Sequence, residues 1–128
     1  MIVHYNLLPY IIAGIALITL LDTAGAIASR KFNFNYGFLS PISFIIYTAT
    51  AYLVAKNNSF DLVLSCNVLI GLYDAIIGWN VSMKLKPNTG KSKEQLIEVT
   101  EGQRIFVMTI IAAFFAFIGY MIANNVTL

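Results

Sequence analysis

Apolar residues occupy this chain in four long blocks, and polar residues gather mainly in the links between them. The blocks run over about 7–28, 37–55, 60–83 and 105–123. Each holds roughly 20 residues, enough at about 1.5 Å of rise per residue to cross a hydrocarbon layer of about 30 Å. The spacing predicts four membrane-crossing helices.

The links carry helix signals. Pro9 falls in the first turn of the first block, where a missing N–H is tolerated. Arg30-Lys31 closes that block, and Phe32-Asn33-Phe34-Asn35-Tyr36 is an aromatic link suited to a headgroup zone. Ser40-Pro41 reads as an N-cap followed by proline at the first helical position. Lys56-Asn57-Asn58-Ser59 is a tight polar turn that sends the third block back beside the second. The longest link is 84–104. In it, Pro87-Asn88-Thr89-Gly90 reads as a turn, and Ser92-Lys93-Glu94-Gln95 as a capping box whose helix continues into the fourth block. Gly102 would be a hinge in that helix, with Glu101 and Arg104 spaced to pair across it. The first block does not resemble a cleaved leader: no basic residue precedes it, it is too long, and Asp22 interrupts it.

Composition supports this pattern. The chain has 128 residues, 59% hydrophobic and 11% charged. A soluble domain of this size lacks the interior to hide so much apolar surface. The fold expected is a single all-α integral membrane domain, a four-helix bundle in contact with the lipid bilayer. The net charge of +2 matters less than its placement. Arg30, Lys31, Lys84, Lys86, Lys91, Lys93 and Arg104 flank two links on one side, and Lys56 alone flanks the other. By the positive-inside rule the link 84–104 is cytoplasmic and both termini face outward, in a plasma or inner membrane.

The chain also looks internally repeated. Ala51-Tyr52-Leu53-Val54-Ala55 matches Gly119-Tyr120-Met121-Ile122-Ala123, and Leu21-Asp22 matches Tyr73-Asp74. Two tandem helical hairpins in the same orientation would result. Stripes of small and polar residues mark the packing faces: Thr19, Asp22, Ala26 and Ser29 in the first helix, Ser40, Ser43, Tyr47 and Thr50 in the second. The third has Asn67, Gly71, Asp74, Gly78 and Ser82, and the fourth Thr109, Ala112, Ala116, Gly119 and Ala123. Phe114, Phe115 and Phe117 are expected to face lipid or a partner.

Asp22 and Asp74 are the residues most costly to keep in such helices, at about 2.5–3.5 kcal/mol each near a bilayer centre. The spans hold no lysine or arginine to neutralise them. Three roles compete: a cation or proton site, hydrogen-bonded structural glue, and pairing with a basic residue of another protein. The expected site lies between the first and third helices. Asp22 and Asp74 are its charged groups, and Thr19, Asn67, Tyr73 and Asn80 its secondary members.

Other chemistry finds little support. One cysteine, Cys66, cannot form an internal disulfide or a cysteine-built zinc site, and His4 is the single histidine. Leu85 to Ser92 is close to a phosphate-binding loop but lacks its first glycine and its strand. Lys84, Lys86, Lys91 and Lys93 form a cytoplasmic basic patch suited to anionic lipid headgroups. No metal site, cofactor, catalytic set or nucleic-acid partner is expected. The sequence reads as a non-enzymatic membrane protein that transports or senses a small cation, proton or polar solute. It would act as a homo-oligomer or beside a partner membrane subunit. The alternative is a non-catalytic accessory or scaffolding subunit of a larger membrane complex.

Overall fold

A computed structural model of the chain describes residues 7–88 and 100–125. The described residues are all helical apart from short links: α1 (Leu8–Lys31), a 3-10 turn (Tyr36–Leu39), α2 (Ser40–Ala55), α3 (Phe60–Lys84) and α4 (Glu101–Asn125). All four helices are long and apolar enough to cross a membrane. The Ser92–Gln95 capping box, the helix start at Lys93, and the patch residues Lys91 and Lys93 lie outside the described residues.

Local chemistry sets the helix ends. α1 starts with proline in its first turn and finishes on Arg30 and Lys31, whose charges suit the negative end of the helix dipole. It runs a turn further than the hydrophobic block. Asn33 then turns the chain with φ 57°, a left-handed conformation that asparagine tolerates well. The expected Ser40 cap is not used, because Ser40 is already the first residue of α2. The capping falls to Asn35, whose Oδ1 accepts from Gly37 N at 2.8 Å and starts the 3-10 turn. At the other end of α2, Asn58 Nδ2 donates to Val54 O at 2.9 Å, and the chain turns into α3.

α4 differs from expectation in the same way. Thr100 N donates to Gln103 Oε1 at 3.0 Å, and Gln103 N donates to Thr100 Oγ1 at 3.1 Å. This reciprocal capping box starts α4 at Glu101 and puts Gly102 inside its first turn instead of at a hinge. Arg104 does not pair with Glu101. Its Nε donates to Ala75 O at 2.8 Å, and its guanidinium lies 4.6 Å over the Trp79 ring.

The helices form a rhombus. α2 and α3 pack on each other across its short diagonal, with α1 on one side and α4 on the other, and the backbones of α1 and α4 do not come close. Ile18, Tyr47, Val54, Val63, Cys66, Ile70 and Ala116 form a fully enclosed centre. The expected stripes on α1, α3 and α4 supply most of the buried polar and small residues: Asp22, Ala26, Ser29, Asn67, Gly71, Gly78, Ser82, Ala112, Ala116 and Gly119. Gly119 shows why small residues belong there. A Cβ built on it would lie 2.6 Å from both Ala51 Cβ and Thr48 O, so α2 and α4 meet backbone to backbone. Phe115 corrects the lipid-facing reading of the aromatic cluster: it is half-buried and stacks on Phe44 at 4.7 Å, while Phe114 and Phe117 stay exposed. The outer surface carries large apolar side chains on every helix, among them Leu20, Phe38, Ile45, Leu69 and Phe106.

One irregularity interrupts α3. Asp74–Gly78 forms a wide π turn. In a regular α-helix a step of four residues overshoots a full turn by about 40°, so the stripe Asp74, Gly78, Ser82 would drift off the interface. The wider turn absorbs that drift. Gly78 and Ser82 both stay buried, while Asp74 remains half-buried at the edge of a cavity.

Candidate functional site

The first and third helices bring their carboxylates together. Asp22, on α1, is only 7% exposed. Asp74 opens the π turn of α3. Each gives one oxygen to a tyrosine: Tyr36 Oη donates to Asp22 Oδ1 at 3.0 Å, and Tyr47 Oη donates to Asp74 Oδ2 at 3.0 Å. The other two oxygens converge on Gly78. A Cβ there would lie 2.6 Å from Asp74 Oδ1 and closer still to Asp22 Oδ2. Only a residue without a side chain leaves that space open. Asp22 Oδ2 is buried with no hydrogen-bond donor.

The carboxylates border a cavity of about 300 Å³. All four helices contribute to its wall: Leu21 and Asp22 from α1, Ser43, Phe44 and Tyr47 from α2, Asp74, Ala75, Trp79 and Ser82 from α3, and Arg104, Met108 and Ile111 from α4. Tyr36 and Leu39 of the 3-10 turn and Ser40 at the start of α2 complete it. The cavity belongs to the end of the bundle where α1 and α3 finish and α2 and α4 begin. This is also where Arg30, Lys31, Lys84 and Lys86 lie, and it is called the basic end below. Counting residues at 1.5 Å of rise, Asp22 lies roughly 13 Å from the end of α1, and Asp74 roughly 15 Å from the end of α3.

Arg104 changes the electrostatics expected from sequence. It lines the same cavity as Asp22 and Asp74, so a cation of this chain shares their low-dielectric space. Its guanidinium is held by the Ala75 carbonyl and the Trp79 face instead of by a carboxylate. The backbone of the π turn thereby positions the charge on α4. A second set of hydrogen bonds ties the mouth together. Asn88 N donates to Ser29 Oγ at 3.0 Å, Tyr36 N donates to Asn88 O at 2.6 Å, and Asn88 Nδ2 donates to Asn33 Oδ1 at 3.2 Å.

The remaining expected members lie elsewhere. Thr19 and Tyr73 bond each other at 2.6 Å, and Thr19 Oγ1 also donates to Ile15 O, which makes Tyr73 the donor of the pair. Neither lines the cavity. Asn67 is fully buried and bridges three helices through Nδ2, to Tyr47 O at 3.1 Å and Ala112 O at 3.3 Å. Asn80 is exposed, as are Lys84 and Lys86. Among the lining or bordering residues outside the expected set are Tyr36, Tyr47, Gly78, Ser82 and Arg104. Tyr47, Gly78 and Ser82 already stand on the polar stripes. Tyr36 and Arg104 stand in links, where nothing in the sequence turns them inward.

No family model matches the chain, and neither a curated protein nor a solved structure shows significant similarity to it. Among the described residues, no group of three or more histidine, cysteine, aspartate or glutamate side chains could hold a metal ion.

Proposed function

We propose that this chain is a multi-pass, non-enzymatic membrane protein that binds a small cation or proton between α1 and α3 and moves or senses it. The basic end would face the cytoplasm and both termini the outside, following the charge asymmetry of the links. One observation carries the reading: carboxylates from two helices converge on Gly78 beside a cavity, and one buried oxygen lacks a donor. Two carboxylates so close in an apolar bundle are costly, and positive charge held between them relieves that cost. A π turn at the same point fits a functional site, because such turns recur there.

The proposed fold is a pair of tandem hairpins. Its support is that matched residues meet each other: Asp22 with Asp74 about Gly78, and Ala51 with Gly119. The pairing is open, because α2 packs on α3 while α4 does not pack on α1.

The test is ion flux into liposomes holding the purified chain and a pH-sensitive dye, under an imposed proton or sodium gradient. Flux is expected from the unaltered chain and lost in the Asp22→Asn, Asp74→Asn double variant. Unchanged flux in the double variant rules the reading out and favours the accessory-subunit alternative.

A further inference from the structure

Resting on the ion-binding reading above, we infer that the ligand of this cavity is a small protonated amine with an apolar body. Its N–H groups would bind between Asp22 and Asp74.

Charge sets the valence. Tyr36 from the 3-10 turn and Tyr47 from α2 bond the pair, and among the described residues Arg104 from α4 is the one other charged group lining the cavity. Two carboxylates and one guanidinium leave a single negative charge, which one proton or one monovalent cation balances. A divalent ion would overshoot, and a hard metal cation also asks for about six oxygen ligands. Much of the wall away from the carboxylates is hydrocarbon or aromatic: Leu39, Phe44, Trp79, Met108 and Ile111. Such a wall favours an apolar body over a hydrated ion.

The unpartnered oxygen sets the head group. Asp22 Oδ2 is buried and lacks a donor, and its residue is 7% exposed. An ammonium, amidinium or guanidinium supplies N–H donors to it, and a quaternary ammonium cannot. Gly78 lets the two carboxylates come this close, because a Cβ there would collide with an oxygen of each. The wall already holds an organic cation: the guanidinium of Arg104 lies 4.6 Å over Trp79. Size follows from volume. The cavity of about 300 Å³ matches a ligand of about ten non-hydrogen atoms if each takes the roughly 30 Å³ of a water molecule. When the ammonium enters, Tyr36 and Tyr47 keep their bonds to the outer oxygens.

Trp79 is the single tryptophan of the chain and lines the cavity, so its emission reports occupancy directly. The experiment titrates the full chain in lipid nanodiscs at constant ionic strength. The probes are 2-cyclohexylethylammonium, its N,N,N-trimethyl analogue and sodium chloride. The primary amine is expected to give a saturable emission change. The quaternary analogue is expected to bind about tenfold more weakly, the scale of one charge-assisted hydrogen bond. Sodium should give no saturable change, and Asp22→Asn should remove the amine response. The ligand series on the unaltered chain decides the matter even where Asp22→Asn does not fold. Equal responses to the amine and its quaternary analogue, or saturation by sodium, overturn the amine inference and leave the ion-site reading standing. So does a silent titration alongside flux that depends on Asp22. A silent titration with no such flux overturns both.

Discussion

Between Ala51 and Gly119, α2 and α4 approach until no methyl group fits; toward the basic end the same two helices line a cavity of about 300 Å³. The tight region is held mainly by shape, with small residues and the Val54, Val63, Cys66 and Ala116 core, and Asn67 adds its two bonds within it. The open region is held by directed bonds: tyrosine to carboxylate, arginine to a π-turn carbonyl, and Asn88 to both α1 and the 3-10 turn. The contrast indicates where stability and function separate. Dispersion packing at one end secures the bundle, which lets the other end keep a void and two costly carboxylates.

This contrast can be broken most forcefully at Gly119. Gly119→Val drives a side chain into Thr48 O and Tyr52 N, which cannot move without displacing α2. A loss of about 3 kcal/mol is expected, read as a lower unfolding midpoint by circular dichroism in detergent. Asn67→Ala comes next. It frees the carbonyls of Tyr47 and Ala112 from their shared donor inside the core, at a cost of about 2 kcal/mol in the same assay. Asp22→Asn should have the opposite sign. Removing an unpartnered buried acceptor should raise stability by about 1 kcal/mol while flux disappears, and a lowered midpoint with flux intact would contradict the division of labour. Smallest is Ile45→Ala, on the outward face at 65% exposure, which should shift the midpoint by less than about 0.5 kcal/mol.

The four helices were legible because block length and composition leave few alternatives, and the polar stripes named most of the buried face. Asp22 and Asp74 stood out by their cost. Their meeting did not, because it depends on the π turn, which no proline marks and which Gly78 alone does not announce, since Gly71 lies in the same helix without one. Thr100-Glu101-Gly102-Gln103 has the same capping pattern as Ser92–Gln95, and nothing local ranks one above the other. The position of Arg104 follows from that choice. A helix begun at Thr100 places Arg104 one turn in, facing α3. Tyr36 looked interfacial because its inward course depends on Asn35 starting the 3-10 turn and on Asn88 holding the backbone of Tyr36 in place.

The missing packing between α1 and α4 has a consequence for traffic. Leu21 and Asp22 on one side and Arg104, Met108 and Ile111 on the other line a single cavity without closing over it. In a bilayer-spanning bundle that seam would open sideways, toward acyl chains as well as toward water. An amphiphile with a hydrocarbon tail would then accumulate in the leaflet before it reached the carboxylates. The dose felt at Gly78 would follow its partition coefficient, so affinities referred to the aqueous phase would rise with tail length even where the head group is unchanged.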